Sequence, residues 1–294
     1  MVEKIAIFSE IGSRLPYEGV VTHFGDDLDN RFALEALRMY YGLSEIKVDR
    51  TAAGKPVSGR INIDVGDELC TEPVVKREDG TIVIDHHYSG KRNTLEILME
   101  NGIYVPKQAV ELADTPVERQ VDPLDYRSGL ALARYASNEQ LWRLAEEEKL
   151  AVTLNEQQLK EYGLQEAAIK QKAVVDNAVQ KVEKGAVGAK AVVVEEFVPG
   201  GSQVAYRLGY GIYISVNEHK NGATFAVTAR PGTMLPQELL DLGERYKEKY
   251  GNDVFIRPDK TLIVVGGPKN PEFAVPSSAH VIAGELKSVI KNAN

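Results

Sequence analysis

A chain of 294 residues, 43% hydrophobic and 27% charged, is long enough for two domains that each bury a core, and its profile is that of a globular protein and not a disordered one. A formal net charge of -8 excludes broad attraction to nucleic acid or anionic lipid, which needs a basic surface, but leaves room for a small phosphorylated or short oligonucleotide ligand in a local pocket. The lone Cys70 excludes an internal disulfide, and the lack of any apolar run near 18 residues or of a basic-then-apolar start gives the expectation of a cytoplasmic protein without a membrane partner.

The first half alternates strand-like and helix-like segments, which predicts a mainly parallel sheet with crossover helices. GVVTH (19–23) and INIDV (61–65) are short β-branched runs, and TIVID (81–85) follows the turn signal Asp79-Gly80. Between the first two, NRFALEALRMYYG sets Phe32, Leu34, Leu37 and Tyr40 at helical spacing before Gly42. NTLEILMENG, PKQAVELAD and RSGLALARYA predict further helices. From 138 to 184 the pattern is helical and charge-rich, as a connecting arm would be. After KGAVGAK, the runs AVVVEEF, QVAYRLGYGIYISV and ATFAVTA read as strands of an antiparallel or mixed sheet. The helical stretches LPQELLDLGERYKEKYG and AHVIAGELKSVIKNA follow, separated by TLIVVGG. The fold class is therefore α/β: a mainly parallel-sheet domain over 1–137, a helical linker over 138–187 and a smaller α/β domain over 188–294.

In an open α/β sheet, ligands bind beyond the carboxyl ends of the strands. His23, Asp64 and the run Asp85-His86-His87 all fall at such ends, in a chain with only five histidines. Asp26, Asp27 and Asp29 follow His23 closely. Carboxylates, with an ordinary pKa of about 3.9, repel one another when crowded at neutral pH unless a cation or hydrogen bonds compensate. A divalent metal is the simplest compensation. Acids alone suit calcium or magnesium, whereas imidazoles favour manganese, zinc, iron or cobalt. Two such ions sharing one carboxylate would suit phosphoryl hydrolysis. The competing reading makes Asp27 or Asp29 a cap of the following helix and each histidine structural. Convergence of three histidines and at least four acids on one sheet edge favours the metal.

The same residues carry a resemblance to the DHH phosphoesterase superfamily. His23-Phe-Gly-Asp-Asp27-Leu-Asp29 resembles its first motif, Asp64 in NIDVGD the second, Asp85-His86-His87 the third, and Asp114 in AVELADTP the fourth. The spacing also resembles the branch of the melanocyte-proliferating proteins. The resemblance implies that His23, Asp27 and Asp64 hold one ion, and that Asp29, Asp64, His86 and Asp114 hold the other. Asp64 would then bridge, His87 would face the substrate phosphate, and Asp85 would orient a ligand imidazole. It further implies two manganese ions, with magnesium, cobalt, iron or zinc as alternatives.

Members of the superfamily, exopolyphosphatase-related and exonuclease-like enzymes among them, hydrolyse pyrophosphate, polyphosphate, short oligonucleotides, cyclic dinucleotides or 3′-phosphoadenosine phosphate. The resemblance therefore names a phosphoesterase and not its substrate. The second half departs from the pattern of the nuclease-like members, which carry a Gly-rich run ending in His. VVGGPKNPEF and SSAHVIAGE are the nearest stretches, and Arg230 in ATFAVTARPG is the candidate phosphate contact. Surface roles are expected of His219, Lys220, Arg257 and His280. The alternative function is a nucleotide-binding regulator with this fold and little catalysis. Assembly into an oligomer is compatible with either reading.

Overall fold

A computed structural model of the chain describes residues 2–23, 27–52, 54–66, 72–87, 90–113, 121–266 and 273–292. The chain divides into two compact units: residues 1–121 with 127–168, and residues 122–126 with 169–294.

In the first unit, helix α1 (Val2–Glu18) leads into β1 (Val20–His23), α2 (Leu28–Tyr40) and β2 (Val48–Thr51). Then come β3 (Ile61–Ile63), β4 (Val74–Lys76), β5 (Ile82–Ile84), α3 (Thr94–Glu100) and α4 (Lys107–Leu112). The sheet order is β2-β1-β3-β5-β4, parallel except for β4, which forms an antiparallel hairpin with β5. Its central strands read as unbroken β-branched runs because both faces are covered: Ile61, Ile63, Ile82 and Ile84 are fully buried. Each contributes about 1.5–3 kcal/mol of apolar transfer free energy. Phe32, Ala33, Ala36 and Leu37 of α2 meet Leu95 and Leu98 of α3 in the same core.

The sequence pattern predicts no element over residues 1–18, yet α1 buries Phe8, Ile11 and Leu15 at helical spacing. Gly12 lies so close to the Tyr41 ring that a Cβ there would collide with it, and the Tyr41 hydroxyl donates to the Phe8 carbonyl. Helices α5 (Gly129–Leu132), α6 (Asn138–Glu146) and α7 (Glu156–Glu161) complete this unit. The stretch expected as a connecting arm is helical, but its residues up to 168 pack with the first unit. Leu141, Trp142, Leu144 and Leu159 are buried there, and the charged residues occupy the outer faces.

The division falls within α8 (Gln165–Lys184). The second unit continues through β6 (Ala186–Val187), β7 (Ala191–Val194), α9 (Gly201–Arg207), β8 (Ile212–His219) and β9 (Gly222–Ala229). It ends with α10 (Gln237–Tyr250), β10 (Val254–Ile256), β11 (Leu262–Val265) and α11 (Ala279–Asn292). Its sheet order is β10-β11-β9-β8-β7-β6, antiparallel apart from the β7–β8 pair. Strand β9 alternates buried and half-buried residues, placing Ala223, Phe225 and Val227 in a core with Leu239 of α10 and Ile282 and Leu286 of α11. The run QVAYRLGYGIYISV is not one strand. Its first part is the helix α9, because Val204 and Ala205 form one buried face against Val192, Val194 and Tyr213, and Gly209, at φ +99°, separates the helix from β8.

Candidate metal centre

The strand order places the site. From β1 the chain moves outward to β2, then returns to the other side of β1 for β3 and β5, so the direction of winding reverses between β1 and β3. Such a switch point opens a crevice at the carboxyl ends of the strands. His23 is the last residue of β1, Asp64 follows β3, and Asp85 follows β5. Continuing the registers Val21↔Asn62 and Ile63↔Ile84 places His23, Asp64 and Asp85 in one row across the sheet.

Asp64 lies at the middle of that row and is buried, with 2% of its surface exposed. Its φ of +54° is left-handed and stops β3; Asp is among the few residues that tolerate this conformation. The Asp64 N–H still donates to the Ile84 carbonyl at 2.9 Å, tying the turn to β5. One carboxylate oxygen, Oδ2, is 3.3 Å from His23 Nε2. The other, Oδ1, is 3.2 Å from His86 Nε2 and 3.6 Å from His87 Nδ1, yet makes no hydrogen bond of good geometry. Burial alone would push the Asp64 carboxyl up; the hydrogen bond from His23 and the close approach of the His86 imidazole outweigh it and hold the group below the ordinary carboxylate range. The Asp64 hydrogen bond in turn raises His23, against the opposing effect of burial.

Asp27 satisfies both readings of the sequence. Its Oδ1 accepts from the Asn30 N–H at 2.9 Å and caps α2, while Oδ2 is 3.1 Å from His23 Nε2. Asp29 is buried beside the site, with Oδ2 3.7 Å from His86 Nε2. Both of its oxygens accept from the start of α3: Oδ2 from the Thr94 N–H at 2.9 Å and Oδ1 from the Leu95 N–H at 3.3 Å. Burial, reinforced by the charge of Asp64, pushes Asp29 up to about 7. Nothing in the spacing of Asp29 announces this second duty, because the amides it serves lie 65 and 66 residues away.

Asp85 holds the imidazole of His87, where an orienting role toward a ligand imidazole was expected. Its Oδ1 is 2.8 Å from His87 Nδ1. His87 is the most open of the three histidines, with 44% of its side chain exposed against 16% for His23 and 17% for His86. Gly66 also belongs to the centre and was missed by sequence reasoning. Its N–H donates to Asp85 Oδ2, and its φ of +77° is a conformation that favours glycine. The NIDVGD stretch holds the only sequence signal for it, a glycine two places after the acid.

Two groups of potential metal donors come together: His23, Asp27 and Asp64, and Asp64, His86 and His87. They share Asp64; the second group contains His87, expected to face the substrate, and does not contain Asp29, expected as a ligand. Mixed imidazole and carboxylate donors suit a manganese-like or zinc-like divalent ion. A buried carboxylate oxygen without a good hydrogen bond, ringed by imidazole nitrogens, fits the same group. Asp26 and Asp114 lie outside the described residues. In the second unit, Arg230 directly follows β9 with its side chain exposed. His219 meets Thr224 Oγ1 at 2.8 Å, His280 meets Glu195 Oε2 at 3.2 Å, and Arg257 meets Asp259 Oδ2 at 3.5 Å, all surface contacts of the expected kind. No helix among the described residues is long and apolar enough to cross a membrane.

No protein-family model matches the chain, and no curated protein matches it. Among solved structures, it is similar to PggH, a pGpG-specific phosphodiesterase from Vibrio cholerae, with 15% identity over 94% of this chain and 99% of that one and a TM-score of 0.48. It is also similar to RecJ in complex with Mn2+ from Thermus thermophilus, with 12% identity over 99% of this chain and a TM-score of 0.44. The chain spans about half of that RecJ chain, 54% of its length. The resemblance to the DHH phosphoesterase superfamily rests on the motif residues and on the way the fold brings His23, Asp27, Asp64, His86 and His87 to one sheet edge.

Proposed function

We propose that the chain is a divalent-metal-dependent phosphoesterase that hydrolyses a phosphoester or phosphoanhydride bond in a small phosphorylated molecule or short oligonucleotide. The observation that carries this reading is the pair of donor groups joined by Asp64. His23, Asp27 and Asp64 would hold one ion. Asp64 and His86 would hold the other, joined by Asp29 and Asp114 on the motif resemblance. Manganese is the preferred ion, and bound ions would supply Lewis-acid polarisation of the phosphate and a more acidic water.

The protein's own side chains supply the rest. Asp64 would serve both positions from one buried carboxylate. Asp27 holds His23 on one side and the first turn of α2 on the other, so the ligand set is tied to the helix that follows β1. His87, half-exposed, is the residue for the substrate phosphate, where a donor acts on charge that grows in the transition state. Arg230 is the second unit's candidate for a phosphate contact.

The test is a manganese-supplemented screen of the purified chain across pyrophosphate, polyphosphate, di- to pentanucleotides, cyclic dinucleotides and 3′-phosphoadenosine phosphate. Turnover of at least one class that Asp64→Asn abolishes is expected. Tight nucleotide binding without turnover, in protein that takes up its ions, would instead make the chain a regulator.

A further inference from the structure

Asp85 is among the most deeply buried acids of the first unit, 1% exposed, and both of its oxygens are engaged. Oδ2 accepts from the Gly66 N–H. Oδ1 accepts from the His87 backbone N–H at 2.8 Å and faces the His87 ring at Nδ1, also at 2.8 Å. Each Asp85 oxygen therefore already accepts from a backbone N–H, the geometry of a carboxylate that presents lone pairs on both sides. An ionised carboxylate offers only lone pairs, so a ring nitrogen at hydrogen-bond distance must carry the hydrogen. A neutral His87 ring then holds its hydrogen on Nδ1 and its lone pair on Nε2; a proton taken up there gives the Nε2–H that a phosphate oxygen accepts, while Asp85 still accepts from Nδ1–H. The competing acceptor, Asp64 Oδ1, stands farther from the same nitrogen, at 3.6 Å. A Cβ on Gly66 would stand 3.8 Å from the His87 ring, so the turn after Asp64 and the ring of His87 lie side by side.

We propose that Asp85 is a positioning residue that fixes His87 in the Nδ1–H tautomer, presenting Nε2 as its working atom, while its second oxygen holds Gly66 and the turn that carries Asp64. The catalytic consequence rests on the proposed phosphoesterase reading; the tautomer does not. Asp85→Asn is the informative change because it keeps the shape and reverses half of the polarity. The amide can serve only one side: with its oxygen on Gly66 its NH2 faces the His87 ring and backbone N–H, and with its oxygen on His87 the Gly66 N–H loses its acceptor. In the first arrangement the ring has to accept at Nδ1 and carry its hydrogen on Nε2. A histidine in the wrong tautomer, in otherwise intact geometry, costs up to about 10⁴-fold in a hydrolase triad.

The experiment uses the full chain with 15N-labelled histidine, metal-free and magnesium-loaded, at alkaline pH where the rings are neutral. Long-range 1H–15N correlations should assign His87 as Nδ1–H alone in the wild type and show the Nε2–H form in part or in whole in Asp85→Asn. Manganese stoichiometry should be the same in both, KM should stay within about threefold, and kcat should fall about 10²- to 10⁴-fold. In a His87→Gln background, Asp85→Asn should add no further loss, since Asp85 acts through that ring. A wild-type His87 in the Nε2–H tautomer would overturn the proposal even if the variant fails to fold. A second, additive loss in the His87→Gln background would also overturn it. If no phosphate ester is turned over, the phosphoesterase reading fails and the tautomer measurement still decides the role of Asp85.

Discussion

The two units bury different kinds of residue. Thr22, Asp29, Asn30, Arg31, Glu35, Asn62, Asp64, Thr81, Asp85, Asn93, Thr94 and Ser128 are the buried polar and charged residues among those described, and all belong to the first unit. The second unit's cores are apolar, and its ion pairs, such as Lys172–Asp176 and Lys287–Glu195, lie at the surface. A polar interior costs stability unless each group is paired, so the first unit sustains a cluster of carboxylates and imidazoles that a purely stable fold would not keep. Proteins concentrate that kind of cost at functional sites. On the proposed phosphoesterase reading, the comparison teaches that the chemistry belongs at the parallel sheet's edge, whereas the second unit's cores are built to pack.

The sharpest break of this comparison is Asp64→Asn. Asn also tolerates a φ of +54°, so the fold should persist while activity falls about 10³-fold or more, as loss of several kcal/mol of metal-derived stabilisation requires. Circular dichroism beside the activity assay checks both halves. Next in size is Ile214→Ala in the apolar core of the second unit, expected to cost about 2–5 kcal/mol in denaturant unfolding. The folded fraction should take up manganese as before; loss of uptake there would erase the distinction between the units.

Asp29→Ala should cost about 1–3 kcal/mol, because the Thr94 and Leu95 amides lose their acceptor inside the core. Unchanged stability would mean that those amides have another partner. The effect of pH comes next. The Asp64 hydrogen bond raises His23 above its ordinary 6.5, so in the metal-free protein this pair adds stability that is full below 6.5 and is lost as pH rises through the higher folded value. An ion must displace that proton, so apparent manganese affinity should weaken as pH falls, by up to about tenfold per unit for one proton. Calorimetry in buffers of different ionisation enthalpy reads the released proton directly. The smallest effect is expected of Lys172→Ala, an exposed i,i+4 pair of the second unit, whose loss should leave the unfolding midpoint where it was.

Sequence alone carried the reading of the first unit's strand ends because motif residues and β-branched runs are local signals. GVVTH, INIDV and TIVID each hold a strand, and His23, Asp64 and His86 meet where those strands stop. Long-range contacts were not legible. The partners of Asp29 lie on a different helix, and the choice of Asp85 between two adjacent imidazoles depends on how the chain turns after β5. Trp142 and Leu144 sit among so many charges that their stretch resembles a solvated arm, although its apolar face is core. Helix α1 escaped notice because Gly12 and Pro16 interrupt a stripe that only the packing of Tyr41 explains.

The central claim is that Asp64 joins two ion positions. Titration calorimetry of the metal-free chain with manganese, run on the wild type, Asp27→Asn and Asp64→Asn, tests it most directly. Asn serves as well as Asp at the cap of α2, so Asp27→Asn should leave the fold intact. The account predicts two ions per chain in the wild type, one retained in Asp27→Asn, and neither in Asp64→Asn. Equal uptake by all three, or no specific uptake by the wild type, would contradict it.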